Sequence, residues 1–310
     1  MGVWGINLYS GDFAMDLRST IGAVARLPFD AERLVDIVCE TEAVAATNPL
    51  DEDHTSFWLV LADQFAKRGI VSDRVRDTAL AIIDKDEDVA MLERRGMKPT
   101  DVRKRRKVLD DLRARITGPV VEKKRTVLTK PQALLMNVGD IIVYPTCFGK
   151  SINPYFPSKE EDKQYTKEGP IPWTQNDWGA MVIVGCGRAF DFLSWYRPLV
   201  IMETRRQKPT AEALTADNVP WRLDSAGTCS PHQFRKMEME TIGHVSLEAA
   251  KIESVFPGLR PGISAAVSDI SIANRMHSMA SGSMKPGTIE ALSARGRAHI
   301  AIGLGQLLRA

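Results

Sequence analysis

The sequence lacks several features that identify membrane, secreted and metal-binding proteins. Its apolar runs stay well below the ~20 residues that a membrane-spanning helix requires. It also opens without the basic-then-apolar pattern of a secretory signal. Cysteines are few and scattered, without a CxxC pair: Cys39, Cys147, Cys186 and Cys229. We therefore expect a cytoplasmic protein with reduced thiols, no membrane contact and no zinc site.

Motifs for catalysis are also missing. The segment FGKS at 148–151 is similar to the end of a P-loop, but Tyr144 stands where that pattern needs its first glycine. Asn153-Pro154 then prevents the helix that must follow. No pair of carboxylates is placed for general acid–base chemistry, and no His/Asp cluster has the spacing of metal ligands. The sequence therefore predicts a non-enzymatic protein with no catalytic residue, metal or cofactor.

Two isolated side chains stay open as weaker catalytic candidates. Cys147 is a candidate nucleophile with His232 or His244 as its base, although a single cysteine beside a strand is usually a small buried hydrophobe. His54 lies in the first turn of a predicted helix, where nothing nearby supplies a companion of the HExxH kind. For His54 we favour capping or a surface contact.

Aromatic residues are sparse, at 21 of 310, and they are concentrated. Eleven of them lie between Tyr144 and Tyr196, inside the stretch 139–204 that alone has strand-like runs. These runs are bounded by turn residues and fall at 141–144, 180–184, 189–195 and 199–202. A tight reversal is expected at Gly185-Cys186-Gly187. The spacing favours a small antiparallel barrel or meander in a domain spanning 119–204, to which 125–128 adds a further strand.

A long insert, 149–177, separates the first two predicted strands. It contains four prolines and a mixed charge run, and structureless loops of this length are often functional. A mobile surface insertion is the alternative interpretation. If the insert binds a partner protein, its aromatic side chains and the next one along the chain are the candidate contacts: Tyr155, Phe156, Tyr165, Trp173 and Trp178.

The charges are strongly segregated along the first 130 residues. Residues 1–93 carry 8 basic and 18 acidic side chains, whereas residues 94–130 carry 14 basic and 4 acidic ones. Helical periodicity and caps predict an acidic helical bundle with helices at 13–21, 29–44, 53–67 and 72–84. Together with a basic helix from Pro99 to Ile116 they form a predicted domain spanning 1–118. Asp12 and Asp30 are the expected caps of the first two helices.

Clustered positive charge is the one requirement for contact with a phosphate backbone. The candidate nucleic-acid residues are the basic run on the helix and a second cluster after it: Arg103, Lys104, Arg105, Arg106, Lys107, Lys123, Lys124 and Arg125. No aromatic side chain is interleaved for base stacking. The favoured interpretation is therefore a surface helix attracted to the acidic bundle before it.

The last region, 205–310, reads as a polar linker followed by helices. Turn residues are frequent between Trp221 and His232, and Ser230-Pro231 begins a predicted helix through Met239. Two final helices are expected at 263–279 and 288–308, forming a helical hairpin. The predicted fold class is α+β: an N-terminal helical bundle, a central antiparallel barrel or meander, and C-terminal helices.

The N-terminal region resembles an uncharacterised bacterial family that opens Met-Gly-x-Trp-Gly and continues with an aromatic residue and Asp-x-Ala-x-Asp. The matching residues are Trp4, Gly5, Tyr9, Asp12, Ala14 and Asp16. Tyr9 and Gly11 stand where Phe and Asn are the family's residues. The resemblance covers roughly the first hundred residues and implies no particular chemistry.

The central stretch resembles the immunity proteins of bacterial toxin systems, which open with a Gly-Asp-x-x-x-x-Pro strand. Gly139, Asp140 and Pro145 match that opening, whereas the long insert does not. The resemblance implies a compact β-rich module that covers a partner toxin. Binding of another protein, in toxin neutralisation or phage defence, is therefore the first functional hypothesis. Nucleic-acid binding is the alternative, and a pocket of barrel aromatics for a small molecule or cationic group is the third.

Overall fold

A computed structural model describes residues 5–120, 122, 125–147, 149–154, 164–166, 169–224, 226–256 and 302–309. The described residues up to Lys130 form one compact unit, and those from Pro131 onward form a second. We call them the helical unit and the sheet unit. The predicted division into three domains at 118/119 and 204/205 stays a prediction.

Seven helices make up the described part of the helical unit. They are α1 (Asp12–Val24), α2 (Ala31–Thr41), α3 (Ala43–Thr47), α4 (His54–Lys67), α5 (Asp73–Asp84), α6 (Glu87–Arg94) and α7 (Pro99–Thr117). The cap predicted at Asp30 is confirmed, because its side chain accepts a hydrogen bond from the amide of Arg33 at 2.8 Å. The cap predicted at Asp12 is wrong: Gly11 holds the cap position, and Asp12 is the first helical residue.

Helix α4 is the core of the helical unit and is buried along most of its length. Its predicted apolar face is confirmed, with Phe57, Trp58, Leu61 and Phe65 all buried. His54, expected at the surface or as a cap, is instead buried, and its Nδ1 lies 2.7 Å from the carbonyl oxygen of Ala45. The helix is apolar nearly all round because neighbours cover it on several sides.

The sheet unit contains eight described strands. They are β1 (Asp140–Cys147), β2 (Lys150–Ser151), β3 (Gln164–Thr166), β4 (Gly169–Ile171), β5 (Asp177–Ala189), β6 (Leu193–Ile201), β7 (Trp221–Leu223) and β8 (Glu240–His244). The order β2-β1-β5-β6-β7, with β8 also pairing with β1, gives a curled antiparallel half-barrel, while β3 and β4 form a separate hairpin. The predicted α+β class, with helices first and a curled antiparallel sheet after them, is confirmed.

The reversal predicted at residues 185–187 is wrong. Strand β5 continues through these residues, and the chain turns at Phe190 and Asp191, whose φ angles are 51° and 63°. The glycines make room for an indole ring, because a Cβ at Gly187 would lie 3.0 Å from Cζ2 of Trp195. Both turn residues have the positive φ of a type I′ turn, which is closed by a hydrogen bond from the amide of Phe192 to the carbonyl oxygen of Ala189 at 3.1 Å.

Residues after 204 contribute two strands that the sequence did not predict. In addition to β7 and β8, they form three short helices: α8 (Ala211–Thr215), α9 (Pro231–Lys236) and α10 (Ala249–Val255). The predicted helix start at Ser230-Pro231 is confirmed in α9, which has a capping box, but the helix ends at Lys236 and does not continue through Met239. The predicted strand at 125–128 is wrong, since none of its residues joins a strand. The predicted helix at 263–279 and most of that at 288–308 lie outside the described residues.

Both faces of the half-barrel are packed. One face joins Val143, Val182 and Trp221 to apolar side chains from α8, α10 and the 3₁₀ turn Leu304–Leu307. The other joins Tyr144 and Met181 to Met136, Cys229, Met237 and Met239. Alternate residues of each strand therefore feed two cores, which explains why the central strands are almost continuously apolar. In the described part of the chain, no helix is long and apolar enough to cross a membrane.

Candidate anion-binding site

The aromatic residues proposed to bind a partner do not form a described surface. Tyr155 and Phe156 lie outside the described residues, as does the side chain of Tyr165, whose backbone belongs to β3. Trp173 is buried against Cys147 and Ile152, and Trp178 is half-buried. Protein binding through this insert stays a prediction.

Of the catalytic candidates, Cys147 and His244 are not brought together, because Cys147 ends β1 whereas His244 pairs at the start of that strand. Cys147 is buried at 1% exposure in the small cluster with Trp173, which agrees with an apolar packing role. His244 instead pairs with Asp140, with Nδ1 3.1 Å from Oδ1. Among the side chains that the structure describes, no group of three or more His, Cys, Asp or Glu residues is placed to hold a metal ion.

The basic run of α7 is divided between the core and the surface. Arg103, Lys104, Arg106 and Lys107 are exposed, whereas Arg105 is buried and forms two hydrogen bonds to Asp88, at 2.8 and 3.0 Å. Arg106 pairs with Asp86 at 3.0 Å. The helix therefore meets the acidic bundle, as the favoured interpretation expected. Lys123 and Lys124 lie outside the described residues.

Arg125 takes part in a different feature, a cationic pocket in the helical unit. The cavity has a volume of about 590 Å³, and we call it the Tyr9 pocket. Five of the side chains that line it are basic, and none of its described lining residues is acidic. The principal lining residues are Tyr9, Arg18, Arg26, Lys67, Arg68 and Arg125.

Three segments hold the basic side chains around this pocket. Arg18 projects from α1, and Arg26 follows the end of that helix. Lys67 and Arg68 close α4, where positive charge is favourable beside the carbonyl end of the helix dipole. The third segment carries Arg125, and the amide of Leu128 donates to the carbonyl oxygen of Arg26 at 2.8 Å, which fixes this segment over the end of α1.

A chain of hydrogen bonds fixes Tyr9 at one end of the pocket. Arg68 donates to the side-chain oxygen of Gln64, whose amide donates to the Tyr9 hydroxyl. That hydroxyl donates to Asp63, a fully buried carboxylate that also accepts from Lys67 at 2.6 Å and from Arg115. Lys67 and Arg115 therefore neutralise the Asp63 carboxylate. The other basic side chains of the pocket remain as an excess of positive charge.

Burial and neighbouring charges shift the pKa values of two groups in this series of hydrogen bonds, the Tyr9 hydroxyl and the Arg68 guanidinium. Burial, followed by the hydrogen bond to Asp63, raises the pKa of the Tyr9 hydroxyl well above its ordinary range, so Tyr9 is neutral at pH 7. Partial burial lowers the pKa of the Arg68 guanidinium, and the nearby Arg18 lowers it further while Tyr9 and Asp63 oppose the change. Arg68 is thus a cation that has lost part of its hydration, and an anion in the pocket would stabilise it.

Several donors in the pocket have no partner among the residues that the structure describes. The side chains of Arg18 and Arg26 form no hydrogen bond or ion pair with another described residue, although the Arg18 guanidinium lies 5.2 Å from the centre of the Tyr9 ring. Arg125 donates from Nη2 to the carbonyl oxygen of Phe29, but its buried Nη1 has no hydrogen-bond partner within the described chain. A buried donor without a partner is costly, so a ligand or a water molecule that accepts a hydrogen bond from this atom would be stabilising.

Of the five basic residues that line the Tyr9 pocket, only Arg125 was among the binding candidates named from the sequence. Arg18, Arg26, Lys67 and Arg68 are scattered through the acidic part of the chain, where their charge is outweighed. Only the packing of α1 against α4 brings them together. No local pattern in the sequence marks that contact.

Comparison with known proteins gives no match: no family model, no curated protein and no solved structure is similar to this chain. The resemblances to the bacterial family and to immunity proteins therefore stay predictions. A function for this protein must therefore be inferred from the geometry of its described residues.

Proposed function

We propose that this protein binds an anionic ligand in the Tyr9 pocket and recognises it through phosphate. The observation that carries the proposal is the lining itself, in which five basic side chains surround a cavity of about 590 Å³ and none of the described lining residues is acidic. Like charges held around one cavity repel one another and reduce stability. A binding function accounts for that cost, since an anion would remove the repulsion.

The kind of basic side chain favours phosphate over a simple halide. Four of the five cations are arginines, whose planar donors match the oxygens of phosphate in pairs. Hydrogen bonds to charged groups contribute about 1.5–3 kcal/mol each. Within the described part of the chain, the guanidinium groups of Arg18 and Arg26 and the buried Nη1 of Arg125 have no hydrogen-bond partner.

Binding of inorganic phosphate and pyrophosphate to the full-length protein tests this function. Isothermal titration calorimetry at low and physiological salt should show binding that weakens as salt rises, because phosphate contacts are screened. The double variant Arg18→Gln/Arg26→Gln should lose at least tenfold in affinity. Its fold should be retained, because neither side chain bonds to another described residue.

Arg94→Gln is the matched control, because Arg94 is an exposed arginine of α6 that does not line the pocket. Its affinity for both anions should equal that of the wild type. If neither anion binds at low salt, or if Arg94→Gln weakens binding as much as the double variant, the proposed function is refuted.

A further inference from the structure

A second cavity of the helical unit is mainly apolar and has a volume of about 330 Å³. It shares no described lining residue with the Tyr9 pocket, and it lies between the end of α4, the start of α5 and the end of α7. Ten of its sixteen described lining residues are apolar, and none of the sixteen is acidic. We call it the Val120 cavity. Its apolar lining includes Phe65, Ala66, Val71, Val75, Ile116 and Val120.

Two exposed valines lie where this cavity meets solvent. Val71 and Val120 are 56% and 60% exposed, although valine is usually buried. Among the residues that the structure describes, six large apolar side chains are exposed, and two of them line this one cavity. Phe65 and Val75, in contrast, are each only 2% exposed. The cavity therefore combines a buried apolar floor with an exposed apolar edge, which is the arrangement of a binding site for an apolar group.

Four polar side chains also line the Val120 cavity, and three of them have partners that balance them. Ser72 accepts the hydrogen bond that caps α5, and Thr117 donates to a backbone carbonyl oxygen of α7 at 2.9 Å. Arg76 pairs with two carboxylates of its own helix, Asp73 at 2.8 Å and Asp77 at 3.0 Å. The charge of the cavity therefore depends on the fourth polar side chain.

That fourth side chain is Arg115, whose charge is not balanced. Its Nη1 donates to Asp63, a fully buried carboxylate that also accepts from Lys67 at 2.6 Å. One carboxylate thus faces two cations, and these three groups keep a net positive charge. The other nitrogens of Arg115 donate to no further residue in the described part of the chain. An anionic head group beside Arg115 would balance the charge, because a guanidinium pairs well with a carboxylate.

We propose that the Val120 cavity binds a monocarboxylic acid whose carboxylate pairs with Arg115 and whose apolar chain fills the cavity. One carboxylate matches the single unbalanced cation. An engineered apolar cavity of about 150 Å³ holds one benzene molecule, so a cavity of about 330 Å³ has room for about eight to twelve carbon atoms. This site is separate from the Tyr9 pocket and does not rest on the function proposed for it.

Titration calorimetry of the full-length protein with decanoate tests both parts of this ligand. Decanoate should bind at least tenfold more tightly than 1-decanol, which has the same chain without the negative charge. Acetate, which has the carboxylate without the chain, should show no measurable binding. Hexanoate, whose chain leaves part of the cavity empty, should bind at least tenfold more weakly than decanoate.

Variants of the cavity locate the two parts of the ligand. Arg115→Gln should remove the preference for decanoate over 1-decanol and leave the affinity for 1-decanol within about threefold. Because this substitution also removes one partner of Asp63, two further variants leave that pair intact. Ala66→Leu fills the cavity, and Val120→Asp places a like charge at its edge, so each should weaken decanoate at least tenfold. Val44→Asp is the matched control, because Val44 is 62% exposed and does not line the cavity.

The outcomes separate this site from the Tyr9 pocket. The double variant Arg18→Gln/Arg26→Gln should bind decanoate as tightly as the wild type, because neither residue lines the Val120 cavity. The proposal is refuted if decanoate does not bind, if it binds no more tightly than 1-decanol, or if Val44→Asp weakens it as much as Val120→Asp. It is also refuted if the double variant loses decanoate, since the acid then occupies the Tyr9 pocket. Phosphate binding is decided independently by the titrations with phosphate and pyrophosphate.

Discussion

Replacing Arg105 with methionine should destabilise the helical unit severely, although this residue belongs to the most basic run of the chain. The guanidinium and Asp88 are buried, with side-chain exposures of 5% and 1%. Arg105 also donates to the carbonyl oxygen of Ile6 at 3.1 Å, so it ties the N-terminal segment to α6 and α7. Removing it leaves the Asp88 carboxylate buried, with the Thr55 hydroxyl, at 3.3 Å, as its remaining side-chain partner among the described residues.

The expected magnitude follows from the loss of one partner of a buried ion pair, which costs about 3–5 kcal/mol. With a urea dependence of about 2 kcal/mol per molar, a loss of 3 kcal/mol lowers the unfolding midpoint by about 1.5 M. The double variant Arg105→Met/Asp88→Leu removes both charges and should recover most of this loss, because apolar replacement of a whole pair is often neutral. Arg103→Met, an exposed neighbour on α7, should change stability by less than about 0.5 kcal/mol.

Hydrogen exchange of the α4 backbone amides in the full-length protein is the appropriate assay, because α4 is the buried centre of the helical unit. Its protection reports the stability of that unit in the presence of the sheet unit. The reasoning fails if Arg105→Met is as stable as Arg103→Met. It also fails if the double variant is no more stable than Arg105→Met alone.

Two further predictions concern the sheet unit. Gly179→Ala should lower the free energy of unfolding in urea by about 1–3 kcal/mol, because the added Cβ would lie 2.4 Å from the Tyr144 ring. Gly185→Ala is the control and should lower it less, because the nearest contact of its Cβ is at 3.4 Å. Equal effects of the two substitutions would contradict this prediction. Burial raises the pKa of the Cys229 thiol from 9.0 to about 12, so the unfolded thiol ionises first and stability falls as the pH rises above 9. Between pH 8 and pH 10 the wild type should therefore lose about 1.4 kcal/mol more than Cys229→Ala, and parallel pH profiles would refute this assignment.

The helical unit was largely predictable because its signals are local. Asp30 and Ser72 cap the helices that follow them, and both accept hydrogen bonds from amides three residues on. Pro99 opens α7 at a position where its missing amide donor costs nothing. Each of these features involves residues within one helical turn of one another, so no tertiary contact is needed to infer them.

The sheet was harder to predict because its decisive contacts are distant in sequence. Gly185 and Gly187 look like turn residues, but they accommodate Trp195 across the hairpin. Strand β8 pairs with β1 across about a hundred residues, and its sequence ETIGH has only one strongly apolar residue. A short edge strand of this kind has no periodicity that sequence analysis detects.

The distribution of charge explains why the candidate site escaped the sequence analysis. The basic block 94–130 appeared to be the surplus available for a ligand, yet much of it meets the acidic block: Arg105 with Asp88, Arg106 with Asp86, and Arg113 with Asp84. Arg18 and Arg26 of the Tyr9 pocket belong instead to the acidic block, and neither has a hydrogen-bond or ion-pair partner among the described residues. The local density of basic residues along the chain therefore does not identify the cations that line this pocket.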